Sequence, residues 1–249
     1  MRGLARLTLV QAKLYLREPI AAFFTLFFAP LMLVLFGFIY GNDPVPMFGY
    51  RGTMDISVPA YMALIIATVG LMSVPIGTAS RREAGVLRRF RATPLRPIAY
   101  ILSEVVVYFG MTLLGVLLLI AVGKVAYDVR FEGRLLDVML GFALASASFL
   151  TAGYLIAGLA PTARVAQVVG MIVFYPMIFL SGATIPLQVM PETVRNVAQF
   201  IPLTHAVELL QGLWFGEPWG DHLRQVAVLT GLLLVGGLAA AYTFRWSAD

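Results

Sequence analysis

The chain has 249 residues, of which 60% are hydrophobic and 12% charged, with a net charge of +5 and no cysteine. A soluble domain carries about 25% charged residues; this chain cannot cover a water-soluble globule with polar surface, and an integral membrane protein is the class that remains. The basic balance then follows from a positive-inside bias rather than from nucleic-acid binding, and the lack of cysteine excludes disulfides and thiolate metal sites.

In chain order, residues 1–18 (MRGLARLTLVQAKLYLRE) place Arg2, Arg6, Lys13 and Arg17 on one narrow side of a helix, with Leu4, Leu7 and Leu14 roughly opposite. Glu18-Pro19 breaks it. This pattern predicts an in-plane helix in the headgroup layer, its basic stripe toward anionic membrane lipid; a basic tail that serves topology alone is the alternative. Six apolar runs follow, at 20–40, 58–78, 98–122, 138–160, 165–185 and 226–244. Each has about the 20 residues needed to cross hydrocarbon as a helix, and none alternates as barrel strands do. Pro30, Pro75 and Pro176 lie inside them, where membrane helices tolerate proline. The first run exceeds the ~7–15 residues of a secretory h-region, which predicts a retained span.

The prediction is one all-α, multi-pass domain over 1–249 with both termini on one side. Twelve Lys and Arg fall on the side of the termini and six on the other. That split predicts cytoplasmic termini and a place in the cytoplasmic membrane.

Between the second and third runs stands SRREAGVLRRFRATPLRP, Ser80 to Pro97, with six arginines. Ser80 and Glu83 have capping-box spacing, which predicts a helix over 80–92; Thr93-Pro94 ends it. Arg81, Arg82, Arg88 and Arg89 share one side, and Val86, Leu87 and Phe90 the other, with Glu83 between them. In one reading the arginines only retain the loop inside. In the other, the apolar knob docks on a partner protein, because retention takes only a few charges. Glu83, poorly placed against anionic lipid, is suited to pair with Arg or Lys of this chain or a partner.

Glu104 lies in the third run, close to that loop, and its depth predicts pairing with an arginine there, Arg96 or Arg91. Phe24 and Phe27 in the first run and Phe174 and Met177 in the fifth belong to aromatic and methionine clusters, which pack or face lipid in most cases and also build adaptable apolar pockets. Residues 186–216 carry two short helical patterns, either a re-entrant pair or two surface helices. His205 and Glu208 stand three apart within them; a metal site needs more ligands, so the pair reads as structural.

The 80–97 stretch resembles the first cytoplasmic loop of ABC-2 type permeases, the membrane subunits of a class of ABC exporters, through Arg82, Glu83, Gly85, Arg88, Arg89, Thr93, Pro94, Leu95 and Pro97. A second resemblance covers Phe179 to Gly216, at Ser181, Gly182, Pro186, Pro191, Pro202, Leu203, Thr204 and Gly212. The family implies that Arg81, Arg82, Glu83, Gly85, Leu87, Arg88 and Phe90 belong to a coupling helix seated on a separate ABC ATPase. It also implies a second permease subunit, identical or not, and re-entrant helices between spans five and six. Cargo would pass between the two bundles near Phe24, Phe27, Phe174 and Met177. ATP and Mg would sit on the partner, because the only Gly-Lys pair, Gly123-Lys124, has Leu118 where a phosphate-binding loop needs glycine. The implied activity is ATP-driven export of a hydrophobic or amphipathic, drug- or antibiotic-like compound. Export of lipid or lipid-linked polysaccharide is the alternative. A membrane enzyme needs paired acids, a Ser/His arrangement or metal ligands within the spans, and a secondary transporter several intramembrane charges; only Glu104 is there.

Overall fold

Apolar runs of membrane-spanning length become helices because a chain in hydrocarbon must satisfy its backbone N–H and C=O groups within its own segment. The computed structural model describes residues 2–86 and 97–243, with side chains at 7–86 and 101–243. Its elements are α1 (Arg2–Leu16), α2 (Pro19–Leu26), α3 (Phe28–Tyr40), a ribbon of β1 (Pro44–Val45) and β2 (Arg51–Gly52), and α4 (Thr53–Thr68). A π-helical turn (Val69–Ser73), α5 (Val74–Glu83), α6 (Pro97–Tyr127), α7 (Leu135–Leu159) and α8 (Ala163–Leu180) follow. Then come α9 (Glu192–Ala198), α10 (Pro202–Trp214) and α11 (Leu223–Thr243). The ribbon is antiparallel and pairs Pro44 with Gly52 and Val45 with Arg51.

Among the described residues, five continuous helices are long and apolar enough to cross a membrane, and α2 with α3, bent by 46°, makes a sixth when counted as one span. The chain is a multi-pass, all-α membrane protein. The first run, expected as one helix over 20–40, is thus broken at Phe27. Pro30 explains the break: it has no N–H for the Leu26 carbonyl four residues back, and its ring collides with that carbonyl.

Span two is longer than expected. Helix runs without interruption from Thr53 to Glu83, through α4, the π turn and α5. Pro75 again removes a bond, the one to Leu71, and the turn widens there, with the Val74 amide donating to the Val69 carbonyl five residues back. This span is the axis of the molecule: 83% of its most apolar stretch is buried. Its first half packs against α3, α6 and α10, and its second half against α7 and α8. Small residues bring the backbones close at the π turn. A Cβ on Gly70 would lie 2.7 Å from Phe149, and one on Gly170 would lie 2.5 Å from the Leu71 carbonyl.

The two short helices between spans five and six are present as α9 and α10. Leu203, Ala206, Val207, Leu209, Leu210 and Leu213 of α10 are all buried, against α4, α7 and α11. α1 turns Gln11 and Tyr15 inward and leaves Leu9, Val10, Leu14 and Leu16 exposed. Leu9, Leu14 and Leu16 thus face out, and Gln11 and Tyr15, with Ala12 packed beside them, fasten α1 to the bundle.

Candidate functional site

Arg81, Arg82 and Glu83 form the last turn of α5. Ser80 lies inside that helix and does not start a new one. Its carbonyl accepts the Ala84 amide at 2.9 Å, as in an ordinary helical turn. The helix closes at Gly85, whose amide donates to the Arg82 carbonyl at 3.0 Å and whose φ of +69° is the left-handed conformation that glycine adopts without strain. The expected 80–92 helix is therefore interrupted at Gly85, and 87–92 lie outside the described residues. Of the other coupling residues read from the sequence, Leu87, Arg88 and Phe90 lie outside the described residues, as do Arg91 and Arg96.

The three residues of that turn point to three different spans. Arg81 donates to Glu104 and, at 2.8 Å, to the Tyr108 hydroxyl, both on α6. Glu104, with 3% of its side chain exposed, thus has an arginine partner, as its depth predicted: Arg81, at the end of span two. Arg82 is buried and donates to the carbonyls of Ala157 at 2.9 Å and Ala160, at the C-terminal end of α7. Such carbonyls have no partner in their own helix, and a cation suits the negative end of the helix dipole. Glu83 accepts the Ala163 amide at 3.2 Å, at the first residue of α8. Thr162 accepts the Val165 amide there at 3.1 Å. A carboxylate and a hydroxyl thus cap the positive end of α8. The Arg-Glu order matches the polarity of the two helix ends it meets.

Two sequence readings change as a result. Arg82, taken as a surface contact for a partner, is enclosed within its own chain. Glu83, suited on sequence to pair with Arg or Lys of this chain or a partner, accepts a hydrogen bond from a backbone N–H of its own chain.

A chain of polar groups continues from Tyr108 toward α1. The Tyr108 hydroxyl donates to the Ser73 carbonyl at 3.3 Å, and the Tyr15 hydroxyl contacts Thr25 at 2.6 Å and Ser73 Oγ at 3.3 Å. The two tyrosine rings meet edge to face at 5.7 Å. Burial raises the Tyr15 phenol above its ordinary pKa, which keeps it a donor. Ser103 donates to Gln11 at 3.1 Å. The end of span two is thereby linked to α1 and to spans one, three, four and five.

The residues considered for a cargo path are not gathered in one place. Phe24 and Phe27 are exposed on α2 and at its end, whereas Phe174 is 8% exposed and belongs to the core, and Met177 packs against that core. His205 and Glu208 do not pair: the histidine contacts the Gln199 carbonyl at 2.9 Å, and Glu208 accepts from Gln225 at 2.8 Å. Among the described residues no group of His, Asp and Glu could hold a metal ion. Sequence reading missed Thr162, Tyr15 and Tyr108. The only local signal was a Thr preceding the fifth apolar run by a cap's distance.

The chain matches the family described as ABC-2 type transporter over residues 4–215. It is 28% identical over 103 residues to Nodulation protein J of Rhizobium leguminosarum bv. viciae, covering 41% of this chain and 40% of that protein. It is 26% identical over 161 residues to the Probable multidrug ABC transporter permease YbhR of Escherichia coli K12, covering 64% and 44%. With the Inner membrane transport permease YhhJ of the same strain the identity is 27% over 176 residues, covering 67% and 47%. The aligned segments thus span less than half of each relative's length. The chain belongs to the ABC-2 type transporter family.

Proposed function

We propose that this member of the ABC-2 type transporter family is a permease subunit of an ATP-driven exporter. It would work as a pair of such subunits with separate ABC ATPases, and carry a hydrophobic or amphipathic, drug-like compound out across the cytoplasmic membrane. The twelve-to-six division of cationic residues supports cytoplasmic termini and a cytoplasmic 83–97 loop.

The observation that carries the mechanism is the Arg81–Arg82–Glu83 turn. A loop pushed by an ATPase can do work only on the spans it is fastened to. This turn is fastened to α6 through Glu104, to α7 through Ala157 and Ala160, and to α8 through Ala163. ATP binding favours the arrangement of ATPases it binds more tightly; the loop conveys that preference, and the bundle follows as a packed body with discrete arrangements. Chemistry on the nucleotide belongs to the partner.

The test is reconstitution in liposomes with the ATPase subunit, following efflux of ethidium. ATP-dependent efflux that falls in the Glu83→Ala variant, at unchanged membrane insertion, supports the reading. Efflux that needs no ATPase, or a Glu83→Ala variant with full ATP-driven efflux, sinks it.

A further inference from the structure

At the end of the bundle away from the termini, a cleft opens between the loop after β1, the segment that follows α8, α10 and the start of α11. Its larger part, about 630 Å³, and its smaller part, about 290 Å³, share Gln188, Gln199, Glu208 and Gln211 along their walls. Cavities of this size hold small organic ligands. From its lining we infer that this cleft is a binding site for a neutral, hydroxyl-bearing head group of the cargo. The inference rests on the exporter reading for the word cargo, but on the cleft itself for the chemistry.

Three observations support it. First, polar atoms just behind the wall have no hydrogen-bond partner among the described residues. These are Thr204 Oγ, Gln225 Oε1 and His222 Nδ1, and Thr204 and His222 are 1% and 6% exposed. Buried polar atoms are paired in the great majority of cases, and those that are not leave room for a water, an ion or a ligand group to meet them. The His222 ring is hemmed in here. Its Nε2 lies 3.0 Å from Glu217, and a side chain at Gly212 would overlap the imidazole.

Second, the cleft offers acceptors and donors side by side. Gln225 spends its amide on Glu208 at 2.8 Å and keeps its carbonyl oxygen. Gln211 spends its amide on the Ile56 carbonyl at 3.0 Å. A hydroxyl both donates and accepts, so a ligand with several hydroxyls can answer a carboxamide oxygen, a threonine hydroxyl and an imidazole nitrogen at once.

Third, the charges balance. Glu208, Glu217 and Asp221 stand against Arg51, Arg195 and Arg224 around the two parts. Arg51 already lies over the Phe215 ring at 3.7 Å and 3.7 Å from Glu132. A phosphate or a quaternary amine would find as many like charges as opposite ones. A neutral polyol loses nothing by that balance.

The experiment uses the full-length permease in lipid nanodiscs without nucleotide, and saturation-transfer NMR with maltose, glycerol 1-phosphate and choline as probes. Maltose is expected to bind with a dissociation constant of about 1–10 mM, as a head group does without its apolar tail. Gln188→Leu, at an exposed position, and Gln225→Leu are each expected to weaken it about tenfold, while Phe23→Ala leaves it unchanged. No transfer to maltose, equal transfer in the Gln188→Leu and Gln225→Leu variants, or tighter binding of either charged probe overturns the inference. Because binding is read without ATP, its failure alongside ATP-driven efflux removes only the head-group site. Efflux that needs no ATPase, with maltose binding intact, removes only the exporter reading.

Discussion

The Glu83 carboxylate accepts the Ala163 amide at 3.2 Å, so the last turn of span two caps the first turn of span five. Its neighbour Arg82 holds the carbonyl end of span four. Replacing Arg82 with Ala leaves buried carbonyls without a donor and is expected to cost about 2 kcal/mol, seen as a lower Tm in detergent. Glu83→Gln keeps an acceptor and is expected to leave Tm nearly unchanged. Its transport rate is expected to fall between those of the parent and Glu83→Ala. A Glu83→Gln variant as poor as Glu83→Ala would assign the effect to charge rather than to the hydrogen bond.

Arg81 and Glu104 form a pair in which each removes the need for solvent around the other. Either Arg81→Met or Glu104→Gln alone removes one charge of the pair and leaves the other, and single losses of buried partners are costly. The double variant removes both. Its loss of stability is expected to be smaller than the sum of the singles by about 0.5–3 kcal/mol. Additive losses in the double-mutant cycle would deny the pair a role.

The natural absence of cysteine makes the chain suited to labelling at single introduced thiols. With cytoplasmic termini, Gln188→Cys is expected to react in intact cells with an impermeant maleimide and Glu83→Cys only after permeabilisation; both positions are exposed. The reverse pattern would invert the protein and place the arginine-rich loop outside.

Much of this architecture is legible in the sequence, because length and apolarity suffice to announce a span. The six runs and the pair of short helices after span five could be read that way. The break at Phe27 is not legible from Pro30 alone, because membrane helices often carry proline without breaking. Ser80 and Glu83 satisfied a local capping rule, yet the helix already running from Thr53 overrode it. The end-capping by Arg82 and Glu83 was beyond reach for a different reason: their partners are backbone atoms of Ala157, Ala160 and Ala163, which have no side-chain signature. Pairing rules that look for opposite charges cannot find a carbonyl.

Span two touches its neighbours most closely at the π turn, where a Cβ on Gly153 would press on Val74 at 3.0 Å and more tightly on the Gly70 carbonyl. Gly153→Ala is expected to overpack this contact by about 1–3 kcal/mol, with less folded protein recovered from membranes. Gly231→Ala, where nothing lies within 4 Å, is the control expected to behave as the parent.

At the far end of the same span, Asp55 is 1% exposed and gathers two loops through three donors. It accepts from the amides of Gly52 at 3.0 Å and Arg130 at 2.9 Å, and from Asn42 Nδ2 at 3.2 Å. Asn42 in turn accepts the Met54 and Asp55 amides and donates to the Tyr127 carbonyl at 3.0 Å. The turn before span two and the turn after span three are thus tied at one carboxylate. Asp55→Ala removes the acceptor for all three donors, and each buried donor left unmet costs about 1–3 kcal/mol, so the variant is expected to fail to accumulate. Asp55→Asn keeps one oxygen and turns the other into a donor facing donors. It is expected to be intermediate, with a lowered Tm but measurable folded protein. Were Asp55→Ala as stable as the parent, the loops would be held by packing alone, and the knot would carry no share of the stability of this end.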